Sequence, residues 1–402
     1  MTSRWCALAL VAASAAASAA APQDPRLLAT QQVEEAQAYH IGTLAYLYGF
    51  PMVDLMQQRH RETHRLSPAP PGGQAVLAPV GRFHRFRQLL TPDTVGSLRA
   101  PNADTLYLSG WFDLRAGPMV IRAPDTGGRY YTLAVTDFRS EVQHVGRRTT
   151  GTRARDFVLV GPSYAGALPR GLHPVRVPTE DAWILGRVLV RGADDLAAAS
   201  AVLDGFQAIS LEDWRRGRRS EGPAPEPPAA ASWAPLESLE FFEALNRWLR
   251  ENPRSPGDEA LLAQFDAVGF GPEKLFEAAR VGEATRRGLE RAIVDARAML
   301  RAASRRPLQD LRDGWIFPLA LGRYGHDHLM RATVAFGGYA NLPEETVYAA
   351  LTADAQGRPL RGDRMYRLRF PPGARPPVGA FWSLSAYRLS DFSFMPNAAA
   401  IY

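Results

Sequence analysis

The sequence predicts an α+β protein that is mainly β with a helical insert. Large apolar and polar side chains alternate from about Thr105 to Arg191, which indicates the short strands of an antiparallel β-sandwich. Apolar residues then recur at helical spacing after a Pro-rich break at 215–235, and alternation returns beyond Gly314. With 402 residues, of which 46% are hydrophobic and 22% charged, the chain is long enough for two or three domains.

Residues 1–21 are expected to be a signal peptide. Arg4 precedes an apolar, Ala-rich run that ends in small residues of the A-x-A kind, so cleavage is expected near Ala19 to Ala21. The run is shorter than the roughly 20 apolar residues of a membrane span, and no later segment comes close. We therefore expect a periplasmic or secreted protein without a transmembrane segment.

The cysteine count and the charge exclude several classes of site. Cys6 is the only cysteine and lies inside the predicted leader, so the processed chain would hold no disulfide, thiol nucleophile or Cys-ligated metal. The net charge of +6 comes from 47 basic and 41 acidic residues that are dispersed, and the only dense basic cluster is "RRGRR" at 215–219. No nucleic-acid partner is expected.

The N-terminal part combines one long helix with the sandwich. Apolar spacing predicts a helix from Glu34 to about His64, with a break or kink at Pro51. "TLYLSGWFDL" at 105–114 then predicts a strand with two distinct faces. One face carries Leu106, Leu108, Phe112 and Leu114, and the other carries Thr105, Tyr107, Ser109, Trp111 and Asp113.

Composition and periodicity set the predicted domain boundaries. A stripe through Leu239, Phe242 and Leu245 indicates the helical insert, and the alternation of Tyr366 and Leu368 indicates a later strand. The predicted units are a helix plus β-sandwich domain at 22–214, a Pro-rich linker at 215–235, a helical insert at 236–312 and a C-terminal β-domain at 313–402.

Polar residues at the ends of predicted strands form the candidate site. Asn102 and Asp104 follow Pro101, while Asp137 and Arg148 lie where neighbouring strands end, and such loops often carry ligand-binding groups. Asp104 and Asp137 are the candidate catalytic residues, as the acid and base of a glycosidase-like hydrolase. The candidate ligand-binding residues are Asn102, Thr105, Tyr107, Trp111, Tyr130, His144 and Arg148.

Each of these residues also has a structural interpretation. Asn102 and Asp104 suit a rigid turn, because their short side chains accept hydrogen bonds from nearby amides. Arg148 beside an aspartate would form a salt bridge and lower the pKa of the carboxyl rather than make it an acid. Tyr107 and Trp111 could cover the sheet beneath helices instead of stacking on a ligand.

Two histidine pairs have the residue types of metal ligands. His60 and His64 lie four apart with Glu62 between them, but the glutamate is not adjacent to the first histidine as zincin spacing requires. His326 and His328 in "GHDH" would share a face only in a strand, and a helix is expected to follow. Neither pair is predicted to bind a metal, and no cofactor is predicted.

Several stretches are typical of one protein family. From about Ala36 onward the chain resembles an exported bacterial family of paired domains of unknown function, DUF1254 at the N-terminus and DUF1214 at the C-terminus. The resemblance implies a β-sandwich, a helical insert and a jelly-roll-like β-domain, and it implies no activity. It is carried by "AYLYGFPMV", "PNADTLY", "DTGGRYYTL", "WILGR" at 183–187, "FFEALNRWLRENP", "ANLPEETVY" and "RLRFPPGARPPVGAFWSLSAY".

The resemblance also implies that the second β-domain is shortened. Family members usually continue for several strands beyond the segment that "FMPNAAAIY" resembles, whereas this sequence stops at Tyr402. An unpaired strand edge there could pair with a second copy and give a homo-oligomer.

Three functions remain open from the sequence. The first is binding of a small molecule or glycan at the polar end of the N-terminal sandwich. The second is the Asp104 and Asp137 hydrolase, and the third is a structural or envelope-assembly module. Whether the protein is an enzyme is not decided at this level.

Overall fold

The computed structural model describes residues 25–68, 78–94, 100–304, 311–312, 314–388 and 393–397. The predicted signal peptide and Cys6 lie outside these residues. Across the described ranges, none of the helices combines the length and the hydropathy that a membrane crossing requires. The architecture is α+β with antiparallel sheets, as predicted, with 34% of residues in helices and 19% in strands.

Two facing sheets form the predicted N-terminal sandwich. In chain order the strands of the described residues are β1 (Arg65–Ser67), β2 (Phe83–Phe86), β3 (Thr105–Asp113), β4 (Met119–Ala123), β5 (Tyr131–Asp137), β6 (Val142–Gly146), β7 (Arg155–Val160), β8 (His173–Arg176), β9 (Asp181–Leu189), β10 (Gln207–Ser210), β11 (Ala229–Ala231), β12 (Leu311–Arg312) and β13 (Trp315–Ile316). The five-stranded sheet has the order β2-β3-β9-β5-β6 and is antiparallel throughout. The four-stranded sheet has the order β10-β4-β7-β8, with β7 and β8 parallel. Two short pairs, β1 with β11 and β12 with β13, lie outside both sheets.

The core between the sheets follows from the alternation in β3. Leu106, Leu108 and Phe112 point toward the four-stranded sheet and pack with residues such as Ile121 and Phe157. Because successive side chains of a strand point to opposite faces, Tyr107 and Trp111 lie on the other side of the five-stranded sheet, against the helices. The two predicted faces of β3 are therefore confirmed.

The helices cover that second face. In chain order the helices of the described residues are α1 (Pro25–Thr63), α2 (Arg147–Thr150), α3 (Leu196–Asp204), α4 (Leu211–Arg215), α5 (Glu240–Glu251), α6 (Glu259–Asp266), α7 (Glu283–Ala303) and α8 (His328–Gly337). Helix α1 lies on this face of the sheet and packs most extensively on α7, with further contacts to α5, α6 and α8.

Helix α1 is not broken at Pro51, contrary to one of the two expectations for that residue. Inside a helix, proline removes its own N–H from the ladder and its ring crowds the carbonyl four residues earlier, yet α1 continues through Pro51. Met52, Val53 and Leu55 directly after it are fully buried. This tertiary packing stabilises the helix where local propensity disfavours it.

The C-terminal part, predicted as a shortened β-domain, forms only short β pairs among the residues that the structure describes. Beyond β13 the described residues show isolated bridges, such as Ala353 with Pro359 and Tyr387 with Phe394. Tyr366, Leu368 and Phe370 alternate as expected, but each remains 38% to 45% exposed. Alternation marks the two faces of an extended segment, and it does not supply the partner strand that a sheet requires.

A glycine in α7 sets the close approach of α1 and α7. A Cβ on Gly288 would lie 2.4 Å from the carbonyl oxygen of Glu35 and 2.9 Å from the amide nitrogen of Tyr39, both in α1. Backbone atoms cannot move aside as a flexible side chain can. The helices can therefore meet at this distance only if residue 288 lacks a side chain.

We predict that Gly288→Ala lowers the free energy of unfolding by about 1–3 kcal/mol, because overpacking outweighs the ~1 kcal/mol that alanine gains in helix propensity. Urea unfolding followed by circular dichroism measures it. Gly337→Ala in α8 is the matched control, since a Cβ added there would meet nothing within 4 Å. Equal stability of Gly288→Ala and the wild type would contradict the close approach of the two helices.

Candidate functional site

The helix-facing side of the five-stranded sheet is divided into two halves. In one half Trp111 and Trp183 stack with ring centroids 5.3 Å apart, and Trp111 Nε1 donates a hydrogen bond of 2.8 Å to Glu62 of α1. Trp111 is 2% exposed. It therefore covers the sheet beneath α1, and the prediction that it binds a ligand is wrong because the helix occupies its free face.

The other half carries a polar group of residues that we call the Arg187 cluster. Arg187 lies on the central strand β9, directly opposite Tyr107 of β3 and Thr132 of β5. Residues from the C-terminal part of the chain cover these three side chains. The cluster consists of Tyr107, Tyr130, Thr132, His144, Arg148, Arg187, Asn341, Glu345 and Tyr348.

Arg187 is the centre of the cluster. Its guanidinium lies over the ring of Tyr107 at 5.1 Å from the centroid and donates a hydrogen bond of 3.3 Å to Asn341 Oδ1. Asn341 Nδ2 in turn donates to Tyr348 Oη at 2.7 Å. No carboxylate pairs with Arg187 among the residues that the structure describes. A partly buried guanidinium with so few acceptors is unusual, because it has five N–H donors.

A buried carboxylate joins the cluster to the C-terminal segment. Glu345 accepts a hydrogen bond of 2.7 Å from Tyr130 Oη and one of 2.7 Å from Arg148 Nε. Burial raises the pKa of Tyr130 above its usual range, and the nearby Glu345 carboxylate adds to the effect. Arg148 thus forms the salt bridge that was one of the two sequence interpretations, although its partner is Glu345 rather than an aspartate.

His144 is held as a neutral imidazole. Its Nε2 accepts a hydrogen bond of 3.3 Å from the amide of Leu342, so the ring proton lies on Nδ1, which is 3.0 Å from Thr132 Oγ1. Burial lowers the pKa of His144 from 6.5 to about 4. Protonating Nε2 would also remove the acceptor of the Leu342 amide, which favours the neutral form.

Asn102 and Asp104 form a turn that is fastened to the C-terminal segment. The Asp104 amide donates to Asn102 Oδ1 at 2.7 Å, which is the side-chain turn expected of these residue types. The Asn102 amide donates to Tyr107 Oη at 2.7 Å, and Asn102 Nδ2 donates to Ser383 Oγ at 2.9 Å. The turn therefore borders the Arg187 cluster, and both side-chain polar atoms of Asn102 are already engaged.

Asp104 and Asp137 do not form an acid–base pair. Residue Thr105, next to Asp104, pairs with Leu189 of β9, whereas Asp137 pairs with Ala182 seven residues away along the same strand. Asp104 itself lies opposite Val190, eight residues from Ala182, so at ~3.3 Å per residue the two aspartates lie about 26 Å apart along the strand, far beyond the ~5–9.5 Å between carboxyls that glycoside hydrolysis needs. The predicted hydrolase pair is therefore wrong.

Asp137 lies in a buried turn at the opposite end of the sheet from the Arg187 cluster. Its Oδ1 accepts hydrogen bonds from the amides of Arg139 at 2.8 Å and Glu141 at 2.9 Å, while Oδ2 is buried with no partner among the described residues. Burial raises the pKa of Asp137 to about 6, although Arg139 opposes the shift. A protonated carboxyl suits this orphaned oxygen.

The remaining predicted ligand residues are Thr105, two residues before Tyr107 on the same face of β3, and Tyr130, whose carbonyl accepts a hydrogen bond from the Leu189 amide of β9. Thr105 is fully buried, and its Oγ1 has no hydrogen-bond partner in the described part of the chain. Tyr130 is 8% exposed and packs edge-on against Phe381 at 5.8 Å between centroids. Both residues therefore face the covering segment rather than open solvent.

The histidine pairs have different surroundings. His60 and His64 lie 4.8 Å apart between ring centroids at the end of α1, and His60 Nε2 contacts the carbonyl of Ala231. His326 and His328 instead meet Asp258, and the three offer ligand atoms that all lie within 4.8 Å of one another. This trio is the candidate metal-holding group of the described residues.

Sequence reasoning missed the central members of both groups. Arg187 interrupts the otherwise apolar strand "AWILGRVLV" on the same face as Trp183 and Leu185. A charged residue facing inward in a buried strand was therefore the available signal. Asn341, Glu345 and Asp258 gave no such signal, because only the fold brings them to their partners.

We predict that pH affects folding stability through His144. Because the folded chain favours the neutral imidazole, His144 contributes fully to the free energy of unfolding above pH 6.5 and loses this contribution as the pH falls to about 4. The full loss corresponds to about 3 kcal/mol of unfolding free energy. His144→Gln should remove this loss, so the wild type should become progressively less stable relative to the variant between pH 6.5 and 4.

Urea unfolding at stepped pH measures the difference. The raised pKa of Asp137 makes folding stability increase as the pH falls from about 6 to 3.8, which is opposite in sign to the effect of His144. Because both proteins carry Asp137, its effect cancels in the comparison. His40→Gln, at an exposed position on α1, is the control. If the stability curves of His144→Gln and the wild type run parallel across this range, the assignment is wrong.

The comparisons with known proteins identify domains without assigning a function. The chain matches no curated protein. It is similar to the crystal structure of the VPA0106 protein from Vibrio parahaemolyticus with a TM-score of 0.62 and 20% identity, covering 90% of this chain and 82% of that one. Residues 80–210 match DUF1254 and residues 345–402 match DUF1214, each described as a protein of unknown function. The chain therefore carries a DUF1254 domain followed by a DUF1214 domain, as its motifs predict.

Proposed function

We propose that the Arg187 cluster binds a small molecule that carries a carboxylate or a comparable anionic group. The observation that carries this proposal is that Arg187 is partly buried, contacts the neutral side chains of Asn341 and Tyr107, and has no carboxylate partner in the described residues. A guanidinium presents paired donors that match the two oxygens of a carboxylate. An anionic ligand would supply the acceptors that the protein does not.

Other arginines beside the same sheet are neutralised by the protein. Arg129 forms two hydrogen bonds of 2.5 and 2.6 Å with Asp195, and Arg115 forms hydrogen bonds of 2.8 and 3.2 Å with Asp181. Arg148 pairs with Glu345. Arg187 has no such carboxylate partner in the described residues, and because a partly buried charge without a counter-charge is costly, a bound anion would stabilise it.

The loop that covers the cluster also borders an open groove. Asn341, Glu345 and Tyr348 belong to the cluster, and residues between them line a groove of about 450 Å³. Its walls are mostly apolar, and Arg323 and Glu344 stand at the rim, paired at 2.8 Å. The groove lining is Leu319, Ala320, Leu321, Arg323, Pro343, Glu344 and Val347. This surface suits the apolar or ring-shaped body of a ligand.

The stretches by which the chain resembles its family meet at this site. "PNADTLY" supplies Asn102 and Tyr107, "WILGR" supplies Arg187, and "ANLPEETVY" supplies Glu345. A fourth stretch, "RLRFPPGARPPVGAFWSLSAY", supplies Ser383, which contacts Asn102 across 281 residues of sequence. Their meeting supports a ligand site shared by the DUF1254 and DUF1214 domains.

A structural role is the second candidate. Two hydrogen bonds fasten the C-terminal segment beside the sheet. Asn102 Nδ2 donates to Ser383 Oγ, and the Tyr387 hydroxyl donates to the Pro101 carbonyl at 2.5 Å. The same contacts would serve a clasp between the two domains without any ligand. For either role, the signal-peptide pattern at 1–21 supports a periplasmic or secreted location.

We predict that purified protein binds glucuronate and benzoate and discriminates against their neutral counterparts, glucose and benzyl alcohol. Arg187→Met should weaken acid binding by about 10- to 100-fold, the loss expected for hydrogen bonds to a charged group. Isothermal titration calorimetry measures the affinities, and circular dichroism checks that the variant is folded.

Arg323→Met is the matched control for Arg187→Met. Arg323 is already paired with Glu344 at the groove rim, so its loss should change acid affinity by no more than about twofold. Equal affinity for acids and neutral analogues, unchanged binding by Arg187→Met, or no acid binding at millimolar concentration would each refute the ligand site. If no acid binds and Arg187→Met lowers the free energy of unfolding, the structural role, attachment of the C-terminal segment to the sheet, is favoured.

A further inference from the structure

Three side chains from two distant loops meet beside α1. Asp258 precedes α6, while His326 precedes α8 and His328 is its first residue. One ligand atom from each lies within 4.8 Å of the other two. His326 Nδ1 and Asp258 Oδ1 are 3.3 Å apart. This trio is separate from the Arg187 cluster and lies outside both matched domains.

The spacing suits a tetrahedral metal. Zinc binds imidazole nitrogen and carboxylate oxygen at ~2.0–2.2 Å, so two ligand atoms of a tetrahedral site lie about 3.3–3.5 Å apart. The pair formed by His326 and Asp258 already has this separation. Small side-chain rotations would bring the third atom from within 4.8 Å to the same distance.

The surrounding residues orient the trio. Tyr48 Oη donates a hydrogen bond of 3.0 Å to Asp258 Oδ2, which leaves Oδ1 directed at His326. The Tyr48 ring also packs edge-on against His328, with centroids 5.1 Å apart. Such outer contacts are typical of metal ligands, because they fix the direction of each donor atom.

Two further observations point to a ligand rather than to a simple ion pair. His328 Nδ1 is buried and has no hydrogen-bond partner among the described residues, which is uncommon for a buried polar atom. Asp327, between the two histidines, is instead occupied in capping α8 through the amide of Met330 at 2.9 Å. The sequence "HDH" therefore turns both imidazoles to the same side and the middle carboxylate away.

We propose that Asp258, His326 and His328 bind one divalent transition-metal ion of the zinc class. Two imidazoles and one carboxylate form a donor set that zinc accepts, and the set lacks the many oxygens that calcium or magnesium requires. His326 is 65% exposed in its side chain whereas Asp258 is 3% exposed. The site therefore opens to solvent on the His326 side, where a water molecule or an external ligand would take the fourth position.

The other histidine pair lacks these features. His64 Nδ1 contacts Thr63 Oγ1 at 2.9 Å and the His60 carbonyl at 3.2 Å, so its nitrogen is already engaged. Glu62 is buried and accepts hydrogen bonds from Gln58 and Trp111. His64 therefore offers a histidine control close to a second imidazole but without a free carboxylate.

The test is zinc binding by the full chain without an affinity tag, after dialysis against a chelator. Isothermal titration calorimetry should show one Zn²⁺ per chain, and Mg²⁺ should not compete. His326→Ala, at a side chain that is 65% exposed, should weaken Zn²⁺ binding at least about 10-fold. Asp258→Asn, which keeps a hydrogen-bonding group for Tyr48, should weaken it similarly. His64→Ala should bind like the wild type.

Cobalt(II) substitution provides a second readout. The absorption bands of tetrahedral Co²⁺ should appear in the wild type and His64→Ala and be lost in His326→Ala. The proposal is overturned if the wild type does not bind Zn²⁺ at micromolar concentrations, or if His326→Ala and Asp258→Asn both bind like the wild type. Loss of binding in His64→Ala alone would equally overturn it.

Discussion

The burial of the five-stranded sheet on both faces is the constraint on which the rest of the structure depends. One face packs on the four-stranded sheet through mostly apolar side chains such as Leu108, Leu133 and Ile184. The other face carries tryptophans at one end and Arg187, Thr132 and His144 at the other. Every polar group there must find its partner in whatever covers the sheet, because an unsatisfied buried polar group is costly.

Two covers meet this requirement in different ways. Helix α1 brings Glu62, whose carboxylate accepts the Trp111 indole N–H. The C-terminal segment brings Asn341, Glu345 and the Leu342 amide to Arg187, Tyr130 and His144. Unpartnered buried atoms occur under both covers, since Gln57 Oε1 and Arg61 Nε of α1 lack partners among the described residues just as Thr105 Oγ1 does. The C-terminal side differs in Arg187, a cation whose described partners, Asn341 and Tyr107, are both neutral. The proposed anion site rests on that difference.

The two matched domains both contribute residues to the Arg187 cluster. The DUF1254 region supplies Tyr107, Tyr130 and Arg187, and the DUF1214 region supplies Glu345 and Tyr348. Neither region holds the cluster by itself. If the proposed anion binds there, its contacts depend on the packing of one region on the other.

Local sequence pattern predicted the faces of the strands but not their mutual arrangement. Alternation assigned Leu106 and Tyr107 to opposite faces, because that depends only on the strand itself. The separation of Asp104 from Asp137 depends on register, since β3 and β5 both pair with β9 and run in the same direction. Strand pairing is non-local, and the turns of a single sequence do not specify it. The same limit applies to the two candidate sites. Glu345 contacts Arg148 across 197 residues of sequence, and Asp258 contacts Tyr48 across 210. Contacts over such separations leave no periodic pattern in the sequence.

A crystal structure of the protein with bound glucuronate tests the central claim most directly. The account predicts a carboxylate oxygen of the ligand within hydrogen-bonding distance of the Arg187 guanidinium, with the sugar ring directed toward the groove beside Pro343 and Val347. A ligand bound elsewhere while Arg187 keeps its contacts to Asn341 and Tyr107 would contradict it.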